Sequence, residues 1–279
     1  GQSAEVNGGG NVNFAARNWK QTFPNVKKWT TIRLFINSSS KNFSAKFVSK
    51  PLNETKNYKS ETKSPYILRW HSTDSLTKFN ITFSGDAELG AISLDGDYGV
   101  AVDNIPFRGS SGTFFTQIDT AAVALAMREL NVMLVLLQFG GNAVPYLNSE
   151  KARADFADDI SRQIRYFRKI RPEARVVLIG PSDMSTKING KLQTYPHLDA
   201  VVKTLKAAAV ADGAAFWDMY AAMGGRNSMI GWTKTSPPLA TTDYTHFSQL
   251  GADKIAEIFY TSLMNYYEYY CLTKNAPQL

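Results

Sequence analysis

Cysteine is nearly absent from this 279-residue chain; Cys271 stands alone. No internal disulfide can form, which excludes a small disulfide-stapled scaffold and leaves the compartment open. Cys271 itself, in an aromatic-rich stretch, reads as a packing residue. Histidine is scarce too: His71, His197 and His246 are the three, widely separated. Without a Cys/His cluster no metal ion is implied, and no feature asks for an organic cofactor. Long apolar runs are also missing. The longest, Val132 to Leu137, is strand-sized and far short of the ~20 residues that span a bilayer, so no membrane span is expected. No signal-like segment opens the chain, and Gly1-Gln2-Ser3 is what processing or cloning would leave.

The remaining composition is that of a soluble globular protein, 44% hydrophobic and 20% charged. The length allows one large domain or two smaller ones. A net charge of +7 favours acidic partners in a general way: anionic polysaccharide, a membrane surface or nucleic acid. The lysines are scattered, however, and no nucleic-acid motif accompanies them, so nucleic acid is not an expected partner.

The pattern changes near residue 100. Residues 1–28 form an N-terminal segment. Across 29–98, Thr31 to Ile36 alternates polar with apolar residues, as a half-buried strand does. Phe43 to Val48, Tyr66 to Trp70, Lys78 to Phe83 and Ala91 to Leu94 repeat this, whereas Asn37 to Ser40 and Asn53 to Lys63 have loop composition. A small antiparallel β-sandwich is expected, with Trp29, Tyr66 and Trp70 in its core rather than stacked on sugars. Residues 99–279 read as α/β. Phe115, Ile118, Ala122 and Leu125 mark one helical face. Val132 to Leu137 and Val176 to Ile179 are continuous apolar runs, typical of parallel strands buried on both faces. Phe156 to Phe167, Leu198 to Asp212 and Ile255 to Leu263 read as helices, and Ala214 to Trp217 as a short strand. A parallel sheet flanked by helices on both faces follows, a flavodoxin-like three-layer α/β domain with chemistry at the carboxyl ends of its strands.

His246 is the histidine with a chemical context. It lies three residues after Asp243, in a loop before the last helix. At that spacing the carboxylate can curl back to accept a hydrogen bond from Nδ1, fixing the tautomer and leaving Nε2 as general base. Two further stretches stand at strand ends: Gln138-Phe139-Gly140-Gly141-Asn142 after Leu137, and Phe107 to Thr113, with Gly109, Ser110, Ser111 and Gly112, between the extended Val100 to Val102 and the first helix.

In their order and context these stretches, with Asp243-Tyr244-Thr245-His246, resemble the blocks of SGNH (GDSL-like) hydrolases. The resemblance covers about 180 residues, and Ala143 stands where the family often has Asp. It implies that Gly112 (or Gly109) and Asn142 donate to an oxyanion, that Gly140 aims Asn142, and that Asp243 and His246 serve a nucleophilic serine. The family's first block, Gly-Asp-Ser after a buried strand, is not found; Gly1-Gln2-Ser3 approximates it, with Ser3 as its serine. Three explanations stay open: a missing N-terminal segment or partner that supplies the serine, a catalytically silent carbohydrate-binding scaffold, or Ser3 itself. Some bacterial SGNH O-acetylesterases carry a carbohydrate-binding-like β-sandwich between the first two blocks, where residues 29–98 lie. The resemblance thus implies an O-acetylesterase acting on a polysaccharide or peptidoglycan-type substrate outside the cytoplasm, periplasmic or secreted; transfer of the acyl group to a sugar is its variant. Residues 224–239 are expected to shape the substrate rim, and His197 is a further rim candidate.

Overall fold

The computed structural model describes residues 4–15, 29–49, 52–57 and 64–274. They divide into two units, one made of residues up to 106 together with 119–130, the other of 107–118 and 131 onward.

The first unit is a sandwich of two antiparallel sheets. Its strands are β1 (Ala4–Val6), β2 (Gly9–Ala15), β3 (Trp29–Ser39), β4 (Ser44–Val48), β5 (Asn53–Asn57), β6 (Tyr66–Leu76), β7 (Lys78–Ser84) and β8 (Ala87–Asp95). One sheet runs β1-β8-β3-β6 and the other β2-β7-β4-β5. Alternation decides the inner faces: Ile32, Leu34 and Ile36 of β3 point inward, as do Trp70 of β6, Phe47 of β4 and Ile81 of β7. Phe47 stacks on Trp70 at 5.3 Å between ring centroids, so Trp70 is core, with Trp29 and Tyr66 also buried in this cluster. The loop expected from Asn53 is in part a strand. Residues 53–57 pair with β4 at the sheet edge, and their sequence, Asn-Glu-Thr-Lys-Asn, lacks the apolar signal of a strand. The helix α1 (Thr120–Glu129) belongs to this unit, and the Arg69 guanidinium pairs with Glu129.

The expected helical face from Phe115 to Leu125 is broken. Phe115–Gln117 is a single 3-10 turn in the second unit. Asp119 then caps α1, its carboxylate accepting from the N–H groups of Ala121 and Ala122, so a new helix starts where the pattern suggested continuation. Val100 and Val102, expected to be extended, lie outside any strand and are 94% and 84% exposed.

The second unit is the three-layer α/β arrangement. It contains β9 (Leu134–Gln138), α2 (Glu150–Ile170), β10 (Arg175–Ile179), the hairpin β11 (Ser185–Ile188) and β12 (Lys191–Thr194), α3 (Leu198–Ala211), β13 (Ala215–Trp217), α4 (Met219–Ala222), α5 (Ser228–Thr233) and α6 (Gln249–Lys274). The parallel sheet runs β13-β10-β9. Ile179 faces Met219 and Ile255, with Phe259 of α6 packed against the same cluster. Val176 and Leu178, at alternate positions, point to the opposite face, and α2 and α3 both contact β10. Both faces of β10 are therefore covered, which explains its uninterrupted apolar sequence. Among the described residues no helix is long and apolar enough to cross a membrane.

Candidate active site

The carboxyl end of β9 carries the first half of the site. After Gln138 the chain turns at Gly140, whose φ of +113° is left-handed. The Gly140 carbonyl accepts from the N–H groups of Ala143 and Val144, at 2.9 and 3.1 Å. This tight turn presents Asn142, whose Nδ2 donates to the Ser110 carbonyl at 3.0 Å. Gly112 has φ +83° and is packed so closely under the Phe139 ring that a Cβ would collide with it. Its N–H donates to Ser110 Oγ at 3.0 Å. The two stretches are thus in direct contact, and both expected oxyanion donors are engaged by Ser110. Asn142 keeps a second N–H, because its amide carries two.

Two supports of this half were not foreseen. Buried Gln163 of α2 donates to the Thr113 carbonyl at 3.3 Å and accepts from Thr116 N–H at 3.2 Å. A polar residue on the apolar face of an amphipathic helix was the available signal. His197 Nε2 donates to the Val144 carbonyl at 2.5 Å, bracing the turn that carries Asn142. Gly109, at φ +77°, lies in the turn closed by Ser110 N–H donating to the Phe107 carbonyl at 3.2 Å, and a Cβ there would meet nothing within 4 Å.

The second half is the loop before α6. His246 Nδ1 lies 2.7 Å from Asp243 Oδ2. The other carboxylate oxygen, Oδ1, accepts from the Thr241 hydroxyl at 2.6 Å and from the N–H groups of Thr245 and His246 at 2.9 and 3.0 Å. Tyr244, at φ +56°, makes the left-handed step that lets three residues close this ring. Partial burial pulls the Asp243 carboxyl upward, but the hydrogen bonds from Thr241, the His246 ring and the two backbone N–H groups outweigh it and hold the group well below the usual carboxylate range. An ionised Asp243 can only accept, so Nδ1 carries the proton and Nε2 is left with its lone pair. No described residue bonds Nε2, and the His246 side chain is 75% exposed. The arrangement is an oriented imidazole that faces solvent and has the geometry a general base requires.

The loop is framed on both sides. Tyr244 O accepts from Ser185 N–H at 3.0 Å, and Thr241 N–H donates to His246 O at 2.8 Å. Ala240 and Phe247 form an antiparallel bridge, and the Phe247 ring lies 5.6 Å from Trp232. The expected rim, residues 224–239, contains α5 and reaches this frame through Trp232. Ser3 lies outside the described residues. Among those described, no serine hydroxyl hydrogen-bonds His246.

No protein-family model matches the sequence, and no curated protein matches it. Among solved structures, a peptidoglycan O-acetylesterase aligns with TM-score 0.64 and 17% identity, over 95% of this chain and 77% of that one. An acetyl xylan esterase aligns at TM-score 0.36 and 18% identity, over 52% and 76% of the two chains. A family two carbohydrate esterase from Clostridium thermocellum, in complex with cellohexaose, aligns at TM-score 0.30 and 13% identity, over 96% and 93%. What the chain shares with the first of these is its fold: a three-layer α/β unit and a small β domain.

Proposed function

We propose that this chain provides the base and the oxyanion donors of a serine esterase that removes acyl groups, O-acetyl foremost, from a polysaccharide or peptidoglycan-type substrate. The observation that carries the reading is the Asp243–His246 pair, with its Nδ1–H fixed on the carboxylate and its Nε2 free. In the reaction a serine hydroxyl attacks the ester carbonyl while its proton passes to His246 Nε2. The tetrahedral oxyanion takes hydrogen bonds from Gly112 N–H and Asn142 Nδ2–H, displacing Ser110 Oγ from Gly112. His246 then protonates the departing sugar oxygen, and water, deprotonated by the same imidazole, releases acetate. The fold shared with a peptidoglycan O-acetylesterase supports this chemistry and substrate class.

The serine, in this proposal, comes from another segment that adds as a parallel strand to β9. Parallel register makes Met133 O accept from Arg175 N–H. By the ladder rule the N–H and C=O groups of Leu134, Leu136 and Gln138 then point away from β10. Among the described residues β9 is the last strand on that side, and Leu134 and Leu136 are 39% and 41% exposed. A strand paired there in parallel ends beside Gln138, next to Asn142.

The test is hydrolysis of p-nitrophenyl acetate by the chain alone and with an added peptide, an apolar strand ending in Gly-Asp-Ser. Turnover is expected only with the peptide, abolished by His246→Ala. Turnover by the chain alone that is lost in Ser3→Ala makes Ser3 the nucleophile. Peptide-dependent turnover that survives His246→Ala contradicts the proposal. A fold that binds glycan but never turns over an ester is the scaffold reading, and acetyl passed to an added sugar is the transferase reading.

A further inference from the structure

The buried carboxylate of Asp183 takes no part in the chemistry above, yet it is bonded to two elements that frame the catalytic loop, the β11–β12 hairpin and α5. Asp183 is fully buried, just past the carboxyl end of β10. Its Oδ1 accepts from the Thr194 hydroxyl at 2.7 Å, at the end of β12. Its Oδ2 accepts from Met229 N–H at 2.8 Å and from the Ser228 hydroxyl at 3.4 Å, in the first turn of α5. Asn227, at φ +64°, locks the same junction: its N–H donates to Thr194 Oγ1 at 2.7 Å and its Oδ1 accepts from Thr194 N–H at 3.1 Å.

Two routes lead from this clamp to His246. In the first, Ser185, two residues on, donates its N–H to the Tyr244 carbonyl at 3.0 Å, inside the Asp243–His246 turn. In the second, α5 carries Trp232. Its carbonyl accepts from Leu239 N–H at 2.9 Å and its ring lies 5.6 Å from Phe247, so it holds both strands of the bridge that closes the turn. A buried carboxylate is costly to keep unless it is fully hydrogen-bonded, and a packing residue would hold three segments together without that cost. We propose that Asp183 is a positioning residue: by clamping the β11–β12 hairpin and α5 to the end of β10, it fixes the turn that holds the His246 ring against Asp243. The proposal takes the Asp243–His246 pair as general base from the reading above and assigns the buried residue that orients it.

The experiment reads the ring itself and needs no turnover. The 15N shifts of both His246 ring nitrogens are measured in the full chain at high pH, with the ring neutral. The wild type is expected to show one tautomer, protonated at Nδ1. Asp183→Ala is expected to show a mixture of both tautomers, and Asp183→Asn, which keeps an oxygen for Met229 N–H, to return most of the way to one. Thr194→Val, which removes the hydroxyl that donates to Asp183 and accepts from Asn227 N–H but leaves the Met229 and Ser228 bonds in place, is expected to shift the ratio in the same direction by less, and it decides between the outcomes if Asp183→Ala does not fold. Ile164→Ala, which opens a cavity in α2, is the stability control. It is expected to lower Tm while leaving the tautomer as in the wild type. A wild-type tautomer in both Asp183→Ala and Thr194→Val overturns the proposal, as does an equal mixture in Ile164→Ala. If the wild type itself is not Nδ1-protonated, the general-base reading fails instead, so the two failures are told apart.

Discussion

At the scale of single residues, the site depends on donors and acceptors more than on packing. An oxyanion donor removed from an acyl-transfer site costs about 10²–10³ in kcat. In the proposed esterase, Asn142→Ala is therefore expected to lower kcat by that factor with little change in Tm, since Asn142 is exposed and its side chain bonds only the Ser110 carbonyl among the described residues. A steady-state assay beside a melting curve checks this. Gly112→Ala is expected to do more harm: it puts a Cβ at φ +83° and into the Phe139 ring, a combination that destabilises by ~1–3 kcal/mol. Asp243 and Asp183 respond to pH in opposite senses. The Asp243 carboxyl is held below the ordinary 3.8, so its contribution is complete above that value and is lost as the pH falls through the depressed folded pKa. Burial raises Asp183 above 3.8, against the hydrogen bonds from Met229, Thr194, Met184 and Ser228. Its contribution is complete below 3.8 and declines as the pH rises through the folded value. The Tm advantage of the wild type over Asp183→Asn is thus expected to shrink with rising pH, which melting curves across the acid range measure.

At the scale of elements, apolar runs marked both parallel strands, but only β10 is buried on both faces as expected; Leu134 and Leu136 of β9 are exposed. Val176 to Ile179 was legible because β10 is covered on both faces, and an uninterrupted apolar run has few other uses. Deleting its side chains should be correspondingly expensive. Leu178 is fully buried, and Leu178→Ala is expected to cost about 2–5 kcal/mol in denaturant unfolding. The hairpin β11–β12 was not anticipated, because Ser185–Ile188 and Lys191–Thr194 are short and polar and form a two-stranded sheet of their own. Its signal was Asn189-Gly190, whose φ values of +50° and +77° are those of a tight hairpin turn. The break at Asp119 and the edge strand β5 went unread for a related reason: a capping carboxylate and an all-polar strand both look like loop chemistry in isolation. β9 makes its own prediction. Amides of Leu134, Leu136 and Gln138 face the open edge, whereas those of Val135 and Leu137 bond β10. Hydrogen exchange is expected to be fast at the first three and slow at the other two.

At the scale of the whole molecule, the sequence separated a β-rich region from an α/β region, and each unit has a core of its own. The motif order exposed the halves of the candidate site, because Gly140 and Asn142 follow the end of β9 and Asp243 to His246 close a turn before α6. It could not show that Ser110 engages both oxyanion donors, or that Gln163, His197 and Asp183 brace the loops, since each of these contacts joins residues distant in sequence. The net charge of +7 suits an acidic glycan; binding to an anionic polysaccharide is expected to weaken as salt rises, because exposed charges are screened within about 10 Å at 0.1 M. The central claim is that this chain holds the base and oxyanion donors for a serine it receives on β9. Mass spectrometry after p-nitrophenyl acetate is added to the chain with the Gly-Asp-Ser strand peptide tests it most directly. The account predicts an acetyl group on the peptide serine that forms only while His246 is intact. An acetyl group on Ser3, Ser110 or Ser111 instead, or one on the peptide that forms equally with His246→Ala, would contradict it.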